Sequence, residues 1–255
     1  MIRQRAAAIY AALVLAFLHL PLLILIVFSF NSGRFTVWEG FSLHWYQTAL
    51  FDPALAEALL NSVAIALAAA ALSTVIGTFA AWGLWRRAAP ALSGSLYLSL
   101  VTPEIVTGIA LLALFQGVFR FLHLPLGMYT VILAHVAFSI AYVTIVVSAR
   151  LRQYDRSLEE AAMDLGATEW RAFLRVTLPA IAPAVAAAAL LALVVSFDDY
   201  IITSMVAGVD SETLPMVIYA MARRGVSPVV NAVSALIVVV FGTLIVISQR
   251  LQEKT

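Results

Sequence analysis

Six stretches of this sequence, residues 8–30, 59–85, 96–119, 128–149, 178–206 and 229–249, each run for about 20 or more mostly apolar residues. That is the length an α-helix needs to cross the hydrocarbon core of a bilayer at about 1.5 Å per residue. Hydrophobic residues make up 63% of the 255, against roughly 45–50% in an ordinary soluble domain. A single soluble core of this size could not hide so much apolar surface. Backbone polar groups in lipid must be bonded within the chain, which selects helices or a closed barrel. A barrel would show short segments of alternating polarity, and none are visible. The expectation is an all-α membrane protein, with six spans forming one transmembrane domain over residues 1–255.

Arg3 and Arg5 precede the first stretch, which exceeds the roughly 7–15 apolar residues of a signal peptide. It reads as a retained membrane helix. Basic residues favour cytoplasmic loops. With the N-terminus inside, the inner segments hold Arg3, Arg5, Arg86, Arg87, Arg150, Arg152, Arg156, Arg171, Arg175, Arg250 and Lys254, and the outer ones hold Arg34, Arg120, Arg223 and Arg224. Six spans with both termini cytoplasmic fit this asymmetry. The chain has no cysteine, which excludes disulfides and thiolate metal sites. Its one lysine is Lys254, so it has no phosphate-binding P-loop. If ATP is used, another chain binds it. Membrane lipid is an expected partner and nucleic acid is not.

Between the fourth and fifth stretches, on the expected cytoplasmic side, charge gathers in "RSLEEAAMDLGATEWRAFLRVTLPAIAP", Arg156 to Pro183. Ser157 and Glu160 have the spacing of a capping box. Ala161, Ala162 and Leu165 set small and apolar surface together. Gly166 suits a left-handed helix end, and Thr168 is a candidate N-cap for a second helix. Pro179 fits the first turn of the next span. The pattern predicts a loop at about residues 156–177 that forms a helix, a tight bend and a second helix before the chain re-enters the membrane.

Glu160-Ala161-Ala162, three residues, Gly166, nine residues, Val176, one residue and Leu178-Pro179 resemble the EAA loop of binding-protein-dependent ABC importer permeases, E-A-A-x3-G-x9-I-x-L-P. Val176 departs mildly from the usual Ile. "HVAFSIAYVTIVVSARL" from His135, "SFDDYIITSMVAG" from Ser196 and "TLPMVIYAMARRGVSPVVNAVS" from Thr213 are similar to the permeases of spermidine/putrescine importers. The resemblance covers most of the chain from about residue 60. It implies a MetI-like permease fold in a bacterial inner membrane and no enzymatic activity in this chain. The implied partners are a cytoplasmic ATPase subunit dimer carrying ATP and Mg, a second homologous permease and an external solute-binding protein. It also implies that Glu160, Ala161, Ala162, Asp164, Gly166 and Ala167 belong to the helix that couples to the ATPase.

Acids inside a span cost on the order of 2.5–3.5 kcal/mol at its centre, so Glu104, Asp198 and Asp199 stand out. Glu104 falls near mid-depth of the third stretch and shares a face with Thr107, Gly108 and Leu111. It reads either as part of a substrate pathway or as an acid bonding the backbone freed by Pro103. Asp198 and Asp199 fall near the outer end of the fifth stretch. Ser196, Asp199 and Thr203 follow i, i+3, i+7 and form one polar stripe. Asp199 is therefore expected to face the pathway, and Asp198, beside Val194, Val195 and Ile202, to be structural; the alternative is that the two acids satisfy a helix break at the interface. His135 reads as a satisfied interhelical bond. Trp38, Trp45, Trp82 and Trp85 read as interface anchors. Arg223 and Arg224 break the charge asymmetry. They suit docking of an external binding protein, or a solvated pair, and sit awkwardly with a cationic cargo.

Two other function classes are weaker. A self-sufficient secondary transporter would often show repeats with broken helices in matching positions, which the sequence lacks. An intramembrane enzyme using Asp198 and Asp199 as a shared-proton dyad is disfavoured, because adjacent residues on a helix splay apart.

Overall fold

The computed structural model describes residues 2–34, 37–87, 89–225 and 228–252. Lys254, and the Val-Ser of the Arg-Gly-Val-Ser-Pro stretch, lie outside them. Regular structure among the described residues is helical, apart from an isolated antiparallel bridge between Asn31 and Phe41. In chain order the helices are α1 (Ile2–Phe28), α2 (His44–Phe51), α3 (Pro53–Arg86), α4 (Pro90–Val101), α5 (Glu104–Leu122), α6 (Met128–Leu151), α7 (Ser157–Asp164), α8 (Glu169–Ala172), α9 (Leu178–Asp198), α10 (Ile201–Val206), α11 (Leu214–Arg223) and α12 (Pro228–Gln252). A π-helical turn, Phe173–Thr177, joins α8 to α9.

Four of the described helices are long and apolar enough to cross a membrane, Ala7–Phe28, Pro53–Arg86, Met128–Leu151 and Glu169–Asp198. The expected third span is not one straight helix. Pro90–Val101 and Glu104–Phe119 meet at a 110° bend. Pro103 has no N–H to donate and drives the preceding residue out of the helical region, and Thr102 accordingly sits at ψ 128°. Glu104 therefore opens a helix instead of lying in the middle of one. The expected fifth span is also interrupted. Asp199 is extended at ψ 125°, and α10 starts at Ile201.

The chain divides into two compact units. The first comprises Met1–Glu57 and Val217–Thr255. Within it α1 and α2 pack on α12. The turn after α1 is fixed by the Trp45 indole, which donates to the Asn31 carbonyl at 2.8 Å, and by a 2.6 Å bond between the Ser29 and Tyr46 hydroxyls. Trp45 is buried, so it serves this turn and not a lipid interface.

The second unit, Ala58–Met216, carries the site. Its centre is α6, the most buried of the spans. Val143, Val147 and Leu151 of α6 pack with Ile181, Ala188 and Ala192 of α9 in one core cluster. Alanines at i and i+4 let two helix backbones approach closely. A second cluster joins Ile65, Phe115, Val131, Ala134, Ile202 and Val206, which ties α10 to α3, α5 and α6. The segment after α10 is equally close-packed. The Thr130 hydroxyl donates to the Val206 carbonyl at 2.6 Å, and a Cβ on Gly208 would fall on the Leu126 carbonyl. Backbone cannot step aside as a side chain can. Gly208→Ala is expected to cost more than the roughly 1–3 kcal/mol of ordinary overpacking. The yield of monodisperse, detergent-extracted protein should fall several-fold; parental yield and melting temperature would contradict this packing.

Candidate functional site

A cavity of about 400 Å³ lies within the second unit, where the α4–α5 bend, α6 and the α9–α10 break come together. All three acids singled out in the apolar stretches, Glu104, Asp198 and Asp199, line it. So do the hydroxyls of Ser99, Thr102, Thr107, Tyr142 and Tyr200 and the ring of Phe138. Both helix interruptions therefore deliver acids to one place. Pro103 turns the chain so that Glu104 begins α5 at the cavity wall, and the break at Asp199 ends α9 there.

The two adjacent aspartates have opposite surroundings. The Asp199 side chain is 6% exposed. Its Oδ2 accepts from the Thr203 backbone N–H and the Thr203 hydroxyl, each at 2.7 Å, and Oδ1 accepts from the Ile202 N–H at 3.4 Å. The carboxylate thus satisfies amides of the first turn of α10, which a helix start leaves without partners. His135 of α6 is fully buried behind it. Its Nε2 lies 2.9 Å from the Thr203 hydroxyl and 3.3 Å from Asp199 Oδ2, and its Nδ1 lies 2.6 Å from the Ser196 hydroxyl. A carboxylate only accepts, so Nε2 carries the hydrogen, and in the neutral ring Nδ1 accepts from Ser196.

Ser196, Asp199 and Thr203 do come together, as their spacing implies, but around His135 and not as a stripe open to the cavity. Ser196 and Thr203 are buried and outside the cavity lining. Asp198 shares the lining with Val194, Val195 and Ile202, the apolar neighbours expected for it, and is exposed at the cavity wall. Among the described residues neither Asp198 nor the exposed Glu104 has a hydrogen-bonding or ionic partner. Both aspartates line the cavity, but Asp199 is the one with protein partners and Asp198 the one without. The cause is the helix break, which a continuous 100° spacing does not contain.

The loop follows its predicted course with one change. Ser157 is the first residue of α7 and not its cap. The Asp155 carboxylate accepts the Ser157 N–H at 3.0 Å. That bond, with a further one from the Ser157 side chain, holds the Asp155 carboxyl below its ordinary value. That Asp155–Ser157 bond is therefore present at neutral pH and is lost only as pH falls through this lowered value. Glu160 pairs with Arg156 at 3.2 Å instead of closing a capping box. The far end of α7 is a complete Schellman motif, in which the Ala167 N–H donates to the Ala162 carbonyl at 3.0 Å and the Gly166 N–H to that of Met163 at 2.9 Å. Gly166 has φ +90°. Ala161, Asp164 and Gly166 are exposed with Glu160, and Leu165 at the tip is 90% exposed. Thr168 caps α8, accepting from the Arg171 N–H at 3.4 Å.

Sequence reasoning passed over Glu159. It is buried at 2% exposure, bonded to the Thr177 hydroxyl and in ion contact with Arg86. Two consecutive acids on a short helix cannot share one face, but nothing local says which turns inward. Trp82 and Trp85 are likewise not lipid anchors alone. Trp82 packs on Phe173 with ring centroids 4.4 Å apart, and Trp85 lies edge-on to Tyr154 at 5.9 Å. In the first unit, Arg223 ends α11 and Arg224 follows it, both exposed, with the Arg223 guanidinium 5.8 Å from the Tyr219 ring centroid.

Residues 73–255 match the model of the family described as binding-protein-dependent transport system inner membrane component. The putrescine transport system permease protein PotI of Escherichia coli is 44% identical over 228 residues, which cover 87% of this chain and 81% of that protein. The spermidine/putrescine transport system permease protein PotC of Haemophilus influenzae is 39% identical over 245 residues, 94% of each. In fold, the chain resembles a subunit of a bacterial ABC transporter involved in the import of the acidic polysaccharide alginate. The TM-score is 0.75 at 15% identity, covering 98% of this chain and 96% of that one. With its all-helical, multi-pass architecture, the chain belongs to the binding-protein-dependent transport system inner membrane component family and is a transport permease of that family, not an enzyme.

Proposed function

We propose that this chain is the transmembrane subunit of an ATP-driven, binding-protein-dependent importer and forms half of the translocation pathway for a small organic cation, putrescine or spermidine. The observation that carries the reading is the pair of unpartnered acids, Glu104 and Asp198, in one cavity of about 400 Å³. An exposed carboxylate without a protein partner is a charged acceptor left free for a ligand, and a cationic cargo supplies the partner it lacks. The relatives named for putrescine and spermidine transport supply a cargo class with that charge.

The chemistry follows from the lining. An ammonium group leaving water must regain acceptors, and it has hydrogens to donate. Glu104 and Asp198 offer charged acceptors, while Ser99, Thr102 and Thr107 offer neutral ones. Phe138 and Tyr142 bring aromatic side chains to the lining, and an aromatic face attracts a cation by about 0.5–2 kcal/mol. Asp199 is already held by Thr203 and His135, so it adds negative field without leaving its cap. The methylene chain of a polyamine lies against Val194, Val195 and Ile202. The acids also account for release, because an exposed carboxylate exchanges a cation for water at smaller cost than a buried one.

In this reading six spans cross a bacterial inner membrane with both termini cytoplasmic. Glu160, Ala161, Ala162, Asp164, Gly166 and Ala167 present the coupling helix to a cytoplasmic ATPase dimer that holds ATP and Mg. A second homologous permease completes the pathway, and the chain itself binds no cofactor. The test is a reconstituted assembly of this chain with its ATPase, permease and binding-protein partners in proteoliposomes, offered a panel of solutes. ATP-dependent uptake of putrescine or spermidine in preference to neutral and anionic solutes is expected. Uptake of a neutral or acidic solute alone would overturn the cargo assignment.

Arg223 and Arg224 are the docking pair for the external binding protein. Arg223→Glu with Arg224→Glu is expected to raise the binding-protein concentration needed for half-maximal ATPase stimulation by about tenfold, the worth of one to two rim charge contacts. The basal hydrolysis rate without binding protein should not change. An unshifted dose response would remove the docking role.

A further inference from the structure

We infer that Glu159, one residue before the Glu160-Ala161-Ala162 triplet, is the positioning residue through which α7 moves the membrane helices. This rests on the importer reading above and adds to it the contact that carries motion inward. The outward side of the loop is the expected docking face. Glu160, Ala161, Asp164 and Leu165 are exposed there. Glu159 points the other way and is buried at 2% exposure.

Its carboxylate joins two membrane-crossing elements at once. Oε2 accepts from the Thr177 hydroxyl at 2.8 Å. Thr177 is fully buried and is the last residue before α9. Oε1 lies 3.5 Å from a terminal guanidinium nitrogen of Arg86, the last residue of α3. The same nitrogen lies 3.0 Å from Glu169 at the start of α8. These arginine contacts are ionic and lack hydrogen-bond alignment, so the Thr177 bond is the directional one. Arg86 also lies over the Trp82 ring at 5.3 Å, and Trp82 packs on Phe173 of the π turn. The end of α3 is thus already joined to α8 and to the π turn that leads into α9 by an aromatic cluster with Phe79 and Trp170. Glu159 fastens α7 to that joined pair.

From Thr177, α9 runs without a break to Asp198, and the next residue begins the break at the cavity. A packed helix transmits displacement along its axis because interiors are close-packed and poorly compressible. A displacement of α7 is therefore delivered through one buried carboxylate to the base of α9, and along α9 to the acids at its far end. Without that carboxylate α7 could still dock, and the ATPase could still close, but its movement would not be tied to α9.

The test uses the complete importer, reconstituted with its ATPase, second permease and binding protein, and reads putrescine transported per ATP hydrolysed. Thr177→Val keeps the shape and removes the bond, and Thr177→Ser keeps the hydroxyl. Thr177→Val is expected to assemble and hydrolyse ATP while putrescine moved per ATP falls by about tenfold, the factor that corresponds to one charge-assisted hydrogen bond. Thr177→Ser should stay near the parental ratio. Glu159→Gln should fall at least as far as Thr177→Val. The inference is overturned by a parental ratio in Thr177→Val, by equal losses in the Val and Ser variants, or by losses confined to assembly. The parental assembly is measured beside them. If it neither copurifies with an ATPase nor transports, the importer reading itself fails; if it couples and Thr177→Val couples equally, only the role of Glu159 fails.

Discussion

Putrescine uptake by the reconstituted importer is expected to fall by about 100-fold or more when Glu104→Gln and Asp198→Asn are combined, with the yield of assembled complex unchanged. Each acid lines the cavity without a protein partner among the described residues. Its neutral isostere therefore removes no bond of the folded chain, and it removes a charged acceptor from the cargo. Hydrogen bonds to charged groups are worth roughly 1.5–3 kcal/mol each, so each single variant should lose about tenfold or more. Asp199→Asn behaves differently. Its carboxylate holds the first turn of α10 and faces His135. Removing its charge weakens the junction of α6, α9 and α10, and the expected loss is in folded complex. If Asp198→Asn reduced assembly while Asp199→Asn reduced only uptake, the assignment of the two neighbours would be wrong.

Gly166→Val should abolish copurification of the ATPase and with it solute uptake, while the membrane helices remain inserted. Gly166 sits at φ +90° as the turning residue of the Schellman motif. A branched side chain resists that conformation, at roughly 1–2 kcal/mol or more. No neighbouring atom lies within 4 Å of a Cβ placed there, so the effect comes from the backbone and not from crowding. Gly166→Asn, which tolerates left-handed φ better, should retain a substantial share of the ATPase. Equal loss in the Asn and Val variants would mean that side-chain volume at the docking face matters and the turn does not.

The loop was legible in the sequence because its signals are local. Gly166, Thr168 and Pro179 act within a few residues, and the structure places the helix end, the second cap and the start of α9 at them. The membrane class was legible from segment length and composition. The helix breaks were only half-legible. Pro103 was visible as a kink, but a kink and a 110° reversal have the same sequence signature. The direction of the chain after Thr102 is set by the packing of α5 on α10 and α6. The two aspartates were left between a pathway role and a helix break for a related reason. Helical periodicity assumes the helix continues, and the chain leaves helical geometry at Asp199. That break is stabilised by His135, 64 positions earlier in sequence, through bonds a local window cannot contain. Glu159 was missed because its partners, Arg86 and Thr177, lie on different elements.

The most direct test of the account is the selectivity of uptake for putrescine over butylamine, which has the same carbon chain and one ammonium group. If Glu104 and Asp198 read two charges, the parental importer should prefer the diamine by about tenfold or more, the worth of one further charged contact. Asp198→Asn should bring the two solutes close to equal. Equal uptake of the diamine and the monoamine by the parental importer, or a preference that survives loss of both acids, would contradict the claim that this cavity recognises the cargo.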